Sequence, residues 1–300
     1  MLRRKTLFNV TIFNKEIQVR DHYCQLDNNE PANVEEPYIN VYVNITNICN
    51  AKCKFCSNEH NRENVTAFNF EKFKNALTEI NDKINIHKVS FTGGEPTICI
   101  ETLKKCLKFT KELNPNIFTV INTNGYRLNE LIDVLDYINS IALSRHYYDD
   151  DINQQIFGLT KVPDETTIYR FPDKSKLHLS CNLIKDYICN SEEVVKYLEW
   201  ASKIGCLDIG FVSLMPANEY CKERFVDFNE LSFENIQDVF VTKNWNYENL
   251  CRCRNYVYIA NNAEIVEVYS RYYKNPSYSG NALVFDGQNI KLGFNGEVLF

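Results

Sequence analysis

The sequence predicts an α/β protein: a partial (β/α)6 barrel of TIM type, with a short strand-rich lead-in before it and an antiparallel β extension after it. Three observations carry this reading. Strand-like and helix-like runs alternate between residues 38 and 216, the order of a parallel sheet under crossover helices, either doubly wound or an incomplete (β/α)8 barrel. The helical runs space their apolar residues three or four apart. After residue 250, short Tyr/Val/Ile runs are separated by Asn-Asn, Asp-Gly and Asn-Gly, which signal hairpins.

In order along the chain, residues 1–37 form the lead-in, a strand-rich stretch over 7–19 that ends in the polar, proline-bearing DNNEPANVEEP. The barrel segment, 38–216, opens with a strand at 38–45. A helix at 70–84 follows, with Phe70, Phe73, Leu77, Ile80 and Ile84 on one face, then a strand at 88–91. A second helix at 101–113 carries Leu103, Cys106, Leu107 and Thr110, and leads to a strand at 117–121. Next come a helix at 128–137 and a strand at 138–143, then a strand at 176–183, a helix at 192–204 and a strand at 207–214. Within the extension, 217–300, residues 217–250 read as loop and helix, and the remainder as antiparallel strands capping the barrel.

Composition narrows the function. Hydrophobic residues at 44% and aromatics at 13% exclude a disordered chain. Lys and Arg number 33 against 39 Asp and Glu, a net charge of −6 that disfavours a nucleic-acid partner. No 18-residue apolar run and no signal peptide is visible, so the expectation is a cytoplasmic protein with no membrane partner. Twelve cysteines are too sparse for a disulfide scaffold of this length, and in a reducing compartment clustered thiols point to metal.

Cys49, Cys53 and Cys56 stand just after the first barrel strand as C-x3-C-x2-C. Three thiolates on one loop can ligate three irons of a [4Fe-4S] cube and leave the fourth iron open. The alternative is a zinc knuckle, which wants four ligands; His60 is the nearest further donor. The second barrel strand ends in Gly93, Gly94, Glu95 and Pro96. Two glycines let backbone approach a ligand closely and Glu95 can accept hydrogen bonds from an ammonium, although the segment alone also reads as a surface turn.

The cysteine spacing, with Phe55 directly before the third cysteine and Gly-Gly-Glu-Pro one β/α unit later, resembles the radical S-adenosylmethionine (radical SAM) superfamily. The resemblance covers roughly residues 38–216 and implies an enzyme with a [4Fe-4S] cluster on Cys49, Cys53 and Cys56. It implies S-adenosylmethionine contacts from Phe55, Gly93, Gly94, Glu95, Asn122, Ser144 (ribose), Asn182 and Met215 (adenine), and an electron donor such as a flavodoxin or ferredoxin. Taken singly, each of these later residues also reads as a turn or core position, Met215 above all.

Within that superfamily, Phe211 to Pro216 and the segment LCRCRNYVYIANNAEI are similar to the GTP 3′,8-cyclase family. The departures weigh against GTP. The cysteine pair here is Cys251-x-Cys253, the further cysteine expected near 266–269 is missing, as is a terminal Gly-Gly, and Tyr42 and Ser90 stand near where triphosphate-gripping arginines belong. Cys221, Cys251 and Cys253 are candidates for a second iron-sulfur cluster, or else buried thiols. Arg252 and Arg254 are candidates for an anionic substrate group; Cys99, Cys106, Cys181, Cys189 and Cys206 read as core.

Arg145 and His146 follow Ser144 in SRHYYDDDINQQIFG, a segment whose second half reads as a short helix capped by its acidic triplet and stopped by Gly158. At the barrel mouth both are candidate catalytic residues for substrate binding or proton transfer; the alternative is an ion pair with Asp149, Asp150 or Asp151. The substrate is expected to be a small molecule or a peptide, the latter docked on the strand edge at 7–19. The competing functions are a GTP cyclase-like nucleotide cyclase and a non-catalytic metal-binding module.

Overall fold

The computed structural model describes residues 7–20, 38–58, 67–159, 162–227, 231–244, 254–271, 282–294 and 296–300. Six strands, β3 (Tyr38–Thr46), β4 (Asn85–Gly93), β5 (Phe118–Thr123), β6 (Ser140–Ser144), β7 (Leu177–Leu183) and β8 (Asp208–Ser213), pair in sequence order, every pair parallel. They are preceded by a separate hairpin, β1 (Leu7–Ile12) and β2 (Lys15–Arg20). The main helices are α1 (Phe70–Lys83), α2 (Ile100–Leu113), α3 (Asp150–Phe157), α4 (Glu165–Tyr169), α5 (Ser191–Lys203) and α6 (Glu219–Glu223).

The helix limits follow from the sequence. Asn69 caps α1 by accepting from the Lys72 amide at 3.0 Å, Asp149 caps α3 from the Ile152 amide at 3.0 Å, and Gly158 stops α3 at φ 60°. Phe73, Leu77 and Ile80 of α1 are buried, each side chain contributing about 1.5–3 kcal/mol. The segment Leu128–Tyr137, expected as a helix, is a 3-10 helix broken at Val134 (φ −125°, ψ 15°); ten residues must reach from β5 to the neighbouring β6, and the tighter winding covers that span.

Strand residues alternate in exposure. Val43, Phe91, Ile121, Leu143, Leu179 and Phe211 are fully buried toward the helices, whereas Tyr42, Asn122, Ser144, His178, Asn182 and Val212 are half-buried on the other side. A strand sends successive side chains to opposite faces, so the sheet has one helix-covered face and one open face.

The tail differs from the expected cap. β9 (Val239–Asn244), which lies where loop and helix were expected, pairs antiparallel with β10 (Arg254–Ile259), and β10 with β11 (Ile265–Arg271); β11 joins β8 in parallel. β12 (Ala282–Phe285) joins β3 in parallel at the opposite edge and carries β13 (Ile290–Leu292) antiparallel. The result is an eleven-stranded sheet in the order β13-β12-β3-β4-β5-β6-β7-β8-β11-β10-β9. The tail therefore lengthens both edges of the barrel sheet, because parallel neighbours leave β3 and β8 with unpaired backbone that the tail strands satisfy. The lead-in hairpin packs on α1, where the Phe13 amide donates to Glu79 Oε1 (2.7 Å) and Phe13 stacks on Phe300 (4.8 Å between ring centres). It thus lies on the helix side, away from the open face. Among the described residues no helix is long and apolar enough to cross a membrane.

Candidate active site

The loop leaving β3 carries Cys49, Cys53 and Cys56 at the C-terminal ends of the parallel strands. Cys53 is 9% exposed and its neighbours Cys49 and Cys56 are half-buried. Two supports hold the loop from below. From α3, the Phe157 carbonyl accepts the Lys52 amide at 2.8 Å and the Cys53 thiol at 4.0 Å, with Ala51, Cys53 and Phe157 packed together. From α6, Asn218 Nδ2 donates to the Lys54 carbonyl (2.9 Å) and the Cys221 thiol to the Phe55 carbonyl (3.6 Å).

The end of β4 is the third support. The Gly94 amide donates to the Thr46 carbonyl (2.6 Å) and the Glu95 amide to the Ile48 carbonyl (2.8 Å). A Cβ on Gly93, at φ 142°, would overlap the Thr46 carbonyl oxygen, and one on Gly94 would overlap that of Ile48. The two glycines thus admit the cysteine loop, where the sequence suggested a ligand.

Glu95 is likewise engaged internally. At 1% exposure its Oε1 accepts from the Thr97 amide (3.0 Å) and from the hydroxyls of Thr97 and Thr123 (2.6 Å each), while Oε2 accepts from the Asn124 amide (2.7 Å). Burial pushes its pKa up and these four donors oppose the shift. The carboxylate's visible work is to tie the end of β4 to the end of β5, with an ammonium ligand confined to whatever capacity Oε2 retains.

Arg145, a candidate for substrate binding, is turned onto its own loop. It is 1% exposed and donates to the carbonyls of Tyr147 (2.7 Å), Pro163 (2.9 Å) and Tyr148 (2.9 Å) and to Asp150 Oδ1 (2.6 Å), with its guanidinium 4.8 Å from the Trp200 ring centre. The ion pair with the acidic triplet is the alternative that holds. A buried guanidinium needs all its donors answered, and the turn after β6 supplies them.

His146, 3% exposed, stacks on Phe157 (4.8 Å) and meets Phe55 edge-on (5.0 Å). Its Nδ1 accepts from the Asn182 amide (3.1 Å), so the ring proton sits on Nε2 in the neutral form. Burial, aided by Arg145, holds its pKa at about 3. A ring kept neutral that far below pH 7 is a packing element under the cysteine loop, not a neutral-pH proton shuttle.

Asn122, Ser144 and Asn182 stand half-buried on the open-face side of three consecutive strands, and Met215, 36% exposed, lies just past β8. Of the second-cluster candidates, Cys221 is buried against the cysteine loop; Cys251 and Cys253, with Arg252, lie outside the described residues. Cys106, Cys181 and Cys206 are fully buried, whereas Cys99 and Cys189 are half-buried.

Asn50 and Asn153, at this rim, are not singled out in the sequence. Asn124 Nδ2 donates to Asn50 Oδ1 (2.9 Å), which leaves Asn50 Nδ2 buried without a partner; Asn153 Oδ1 accepts from the His146 amide (2.9 Å) and leaves its own Nδ2 in the same state. Two orphaned donors beside the cysteine loop suit a ligand rich in acceptors. Among the described residues no three His, Cys, Asp or Glu side chains converge on one point as a single ion requires. Three thiolates are one short of the four ligands of a structural zinc site and equal in number to three irons of a cube whose fourth iron stays open.

Comparison with known proteins agrees with this arrangement. The family model described as the radical SAM superfamily matches residues 43–217. A probable GTP 3′,8-cyclase of Thermococcus kodakarensis is 27% identical over 63% of this chain and 61% of its own length. The crystal structure of Streptococcus suis SuiB bound to S-adenosylmethionine shares the fold, at TM-score 0.60 and 17% identity over 87% of this chain and 62% of that one. SuiB bound to precursor peptide SuiA gives TM-score 0.52 and 22% identity over 61% of this chain and 41% of that one. The chain thus spans about three fifths of the curated relative it matches.

Proposed function

The chain belongs to the radical SAM superfamily, and on that footing we propose that it acts on a hydrogen at an unactivated carbon of a substrate seated on the open face. Cys49, Cys53 and Cys56 would hold a [4Fe-4S] cluster, and the rim formed by Phe55, the backbone of Gly93 to Glu95, Asn122, Ser144, Asn182 and Met215 would hold S-adenosylmethionine. When bound, these groups supply one electron and a 5′-deoxyadenosyl radical able to take that hydrogen.

The chain's own contribution is position and exclusion of water. Phe157, Asn218 and Cys221 fix the backbone of the cysteine loop from two sides, Glu95 ties β4 to β5, and Arg145 locks the turn that carries His146 beneath Phe55. A site built on strands and fixed this firmly loses little on ligand binding to ordering its own parts.

One observation carries the reading: the three-cysteine loop lies against the Gly-Gly-Glu end of β4, at the strand ends where barrel sites assemble. A GTP cyclase is the less supported activity, since Tyr42 and Ser90 are register partners on the open face and neither offers a triphosphate a cation. A small molecule or a peptide fits better; the peptide-bound neighbour keeps the second in play. A flavodoxin- or ferredoxin-class protein would deliver the electron.

The test is anaerobic reconstitution with iron and sulfide, then reductant and S-adenosylmethionine, with 5′-deoxyadenosine as readout. The expected result is product from the native chain and none from Cys53→Ala, whose iron should also fall. Cube absorption without any 5′-deoxyadenosine would instead establish a non-catalytic iron-sulfur module.

A further inference from the structure

We infer that the outer surface of the cysteine loop, around Lys52, Lys54 and Lys185, is the docking face for the electron donor, a small protein that presents a cluster of carboxylates. The inference rests on the preceding reading in taking Cys49, Cys53 and Cys56 as holders of a cluster that must be reduced.

The loop has a buried and an exposed side. Cys53 is buried, and Lys52 and Lys54 on either side of it are exposed. Lys52 lies across the end of α3, where a Cβ on Gly158 would stand 3.2 Å from the Lys52 Cβ and 3.3 Å from its carbonyl oxygen; the C-terminus of a helix favours a positive charge there. Lys54 stands against α6. Its carbonyl accepts from Asn218 Nδ2 (2.9 Å), and its ammonium lies 6.0 Å from the centre of the half-buried Tyr220 ring. Lys185, in the turn after β7, is exposed beside the same helix: its amide donates to the Arg224 carbonyl (3.0 Å), and its neighbour Ile184 shares an apolar cluster with Cys221 and Phe55.

None of these three ammonium groups has an ion pair or a hydrogen bond among the described residues. The other cations nearby are paired, Lys222 with Glu219 at 2.5 Å and Arg224 with Asp186. Glu223 is the exposed carboxylate of α6 left to oppose them, and Asp151 stands six residues, about 9 Å, back along α3 from Phe157. A chain of net charge −6 thus keeps an excess of cations at the loop that would carry the cluster. One unpaired surface lysine is ordinary. Three around one loop make a local field that draws in an anionic partner and orients it on encounter.

The position suits the transfer. Cys53 is one peptide bond from each loop lysine, so a donor seated on them has only the loop between its redox group and the cluster, and tunnelling slows with every added layer of protein. The step moves one electron and no atom: a flavin hydroquinone anion becomes the neutral semiquinone as the oxidised cluster is reduced by one electron. Encounters of this kind use small interfaces, which a few cations around an aromatic ring provide.

The probe is a flavodoxin reduced to its hydroquinone, and the control reductant is photoreduced 5-deazariboflavin, which is uncharged. Reduction of the reconstituted protein is followed in stopped flow by the loss of the cluster's visible absorption, without S-adenosylmethionine. The native rate with flavodoxin should fall steeply as NaCl is raised toward about 1 M, where the Debye length is about 3 Å. The pair Lys52→Glu and Lys54→Glu should be reduced about tenfold more slowly by flavodoxin at low salt, with little salt dependence left, and at the native rate by the deazaflavin. The pair Lys83→Glu and Lys105→Glu, exposed on α1 and α2, makes the same change in net charge and should stay within about twofold of the native rate. If the loop variant does not hold iron, Lys185→Glu decides, by slower reduction with flavodoxin alone. A native flavodoxin rate in the loop variant, an equal loss in the remote variant, or equal slowing by the deazaflavin would overturn the docking face. Lysine-dependent reduction without any 5′-deoxyadenosine keeps the docking face and loses the radical reading. Formation of 5′-deoxyadenosine by the deazaflavin-reduced native chain, with flavodoxin indifferent to the lysines, keeps the radical reading alone.

Discussion

The rim and the open face of the same sheet solve opposite problems. At the rim the buried charged groups are answered: Arg145 spends its guanidinium on three carbonyls and Asp150, and Glu95 accepts four hydrogen bonds. On the open face, His178 packs its ring edge onto the buried Gly210, and Asn255 keeps an acceptor unanswered. Satisfaction holds a cluster loop still, while unsatisfied groups are what a ligand can complete.

The sharpest way to break this contrast is Arg145→Met. If the rim is structural, removing a buried ion-pair partner and leaving three carbonyls unanswered should cost about 3–5 kcal/mol, read as a large fall in the urea midpoint. A variant of native stability with only a raised KM would return Arg145 to the substrate.

His146 offers the next largest effect. Its pKa is lowered in the folded state to about 3, below the ordinary value of about 6.5, so between these values the unfolded chain binds the extra proton. Its contribution is therefore fully present above pH 6.5 and is lost as pH falls toward 3, by an amount on the order of 4 kcal/mol. Urea titrations from pH 7 to 4 should show this slope, and His146→Gln should flatten it.

What the sequence disclosed divides along the same line. The cysteine loop, the Gly-Gly-Glu-Pro turn and the capped α3 are local signals, each legible within a dozen residues because spacing and caps are properties of neighbours in the chain. The roles within them were less legible. Arg145 and His146 read as catalytic from their place after Ser144, and only Tyr147, Tyr148, Pro163 and Asn182 closing around them reveal structural duty. The contacts of the open face had no signal at all: His178, Gly210 and Tyr269 meet through the pairing of β7, β8 and β11, and the parallel joining of β11 to β8 is a fact of register that no segment encodes alone. The tail strands misread as a cap are the same omission, since a hairpin signal says nothing of which edge the hairpin joins.

The same substitution at two glycines sharpens the comparison furthest. Gly94→Ala puts a methyl group into the Ile48 carbonyl; backbone cannot swing aside as a side chain does, so the cysteine loop must shift, at about 1–3 kcal/mol. Thermal unfolding should show that loss, and iron per chain after reconstitution should drop with it. Gly210→Ala meets only the edge of the His178 ring, which can rotate away at the expense of its bond to Asp208. Stability should therefore fall by about 1 kcal/mol, the worth of that hydrogen bond, and iron content should hold. Equal destabilisation by both variants would mean that the His178 ring is held over Gly210 as firmly as the cysteine loop is held over Gly94.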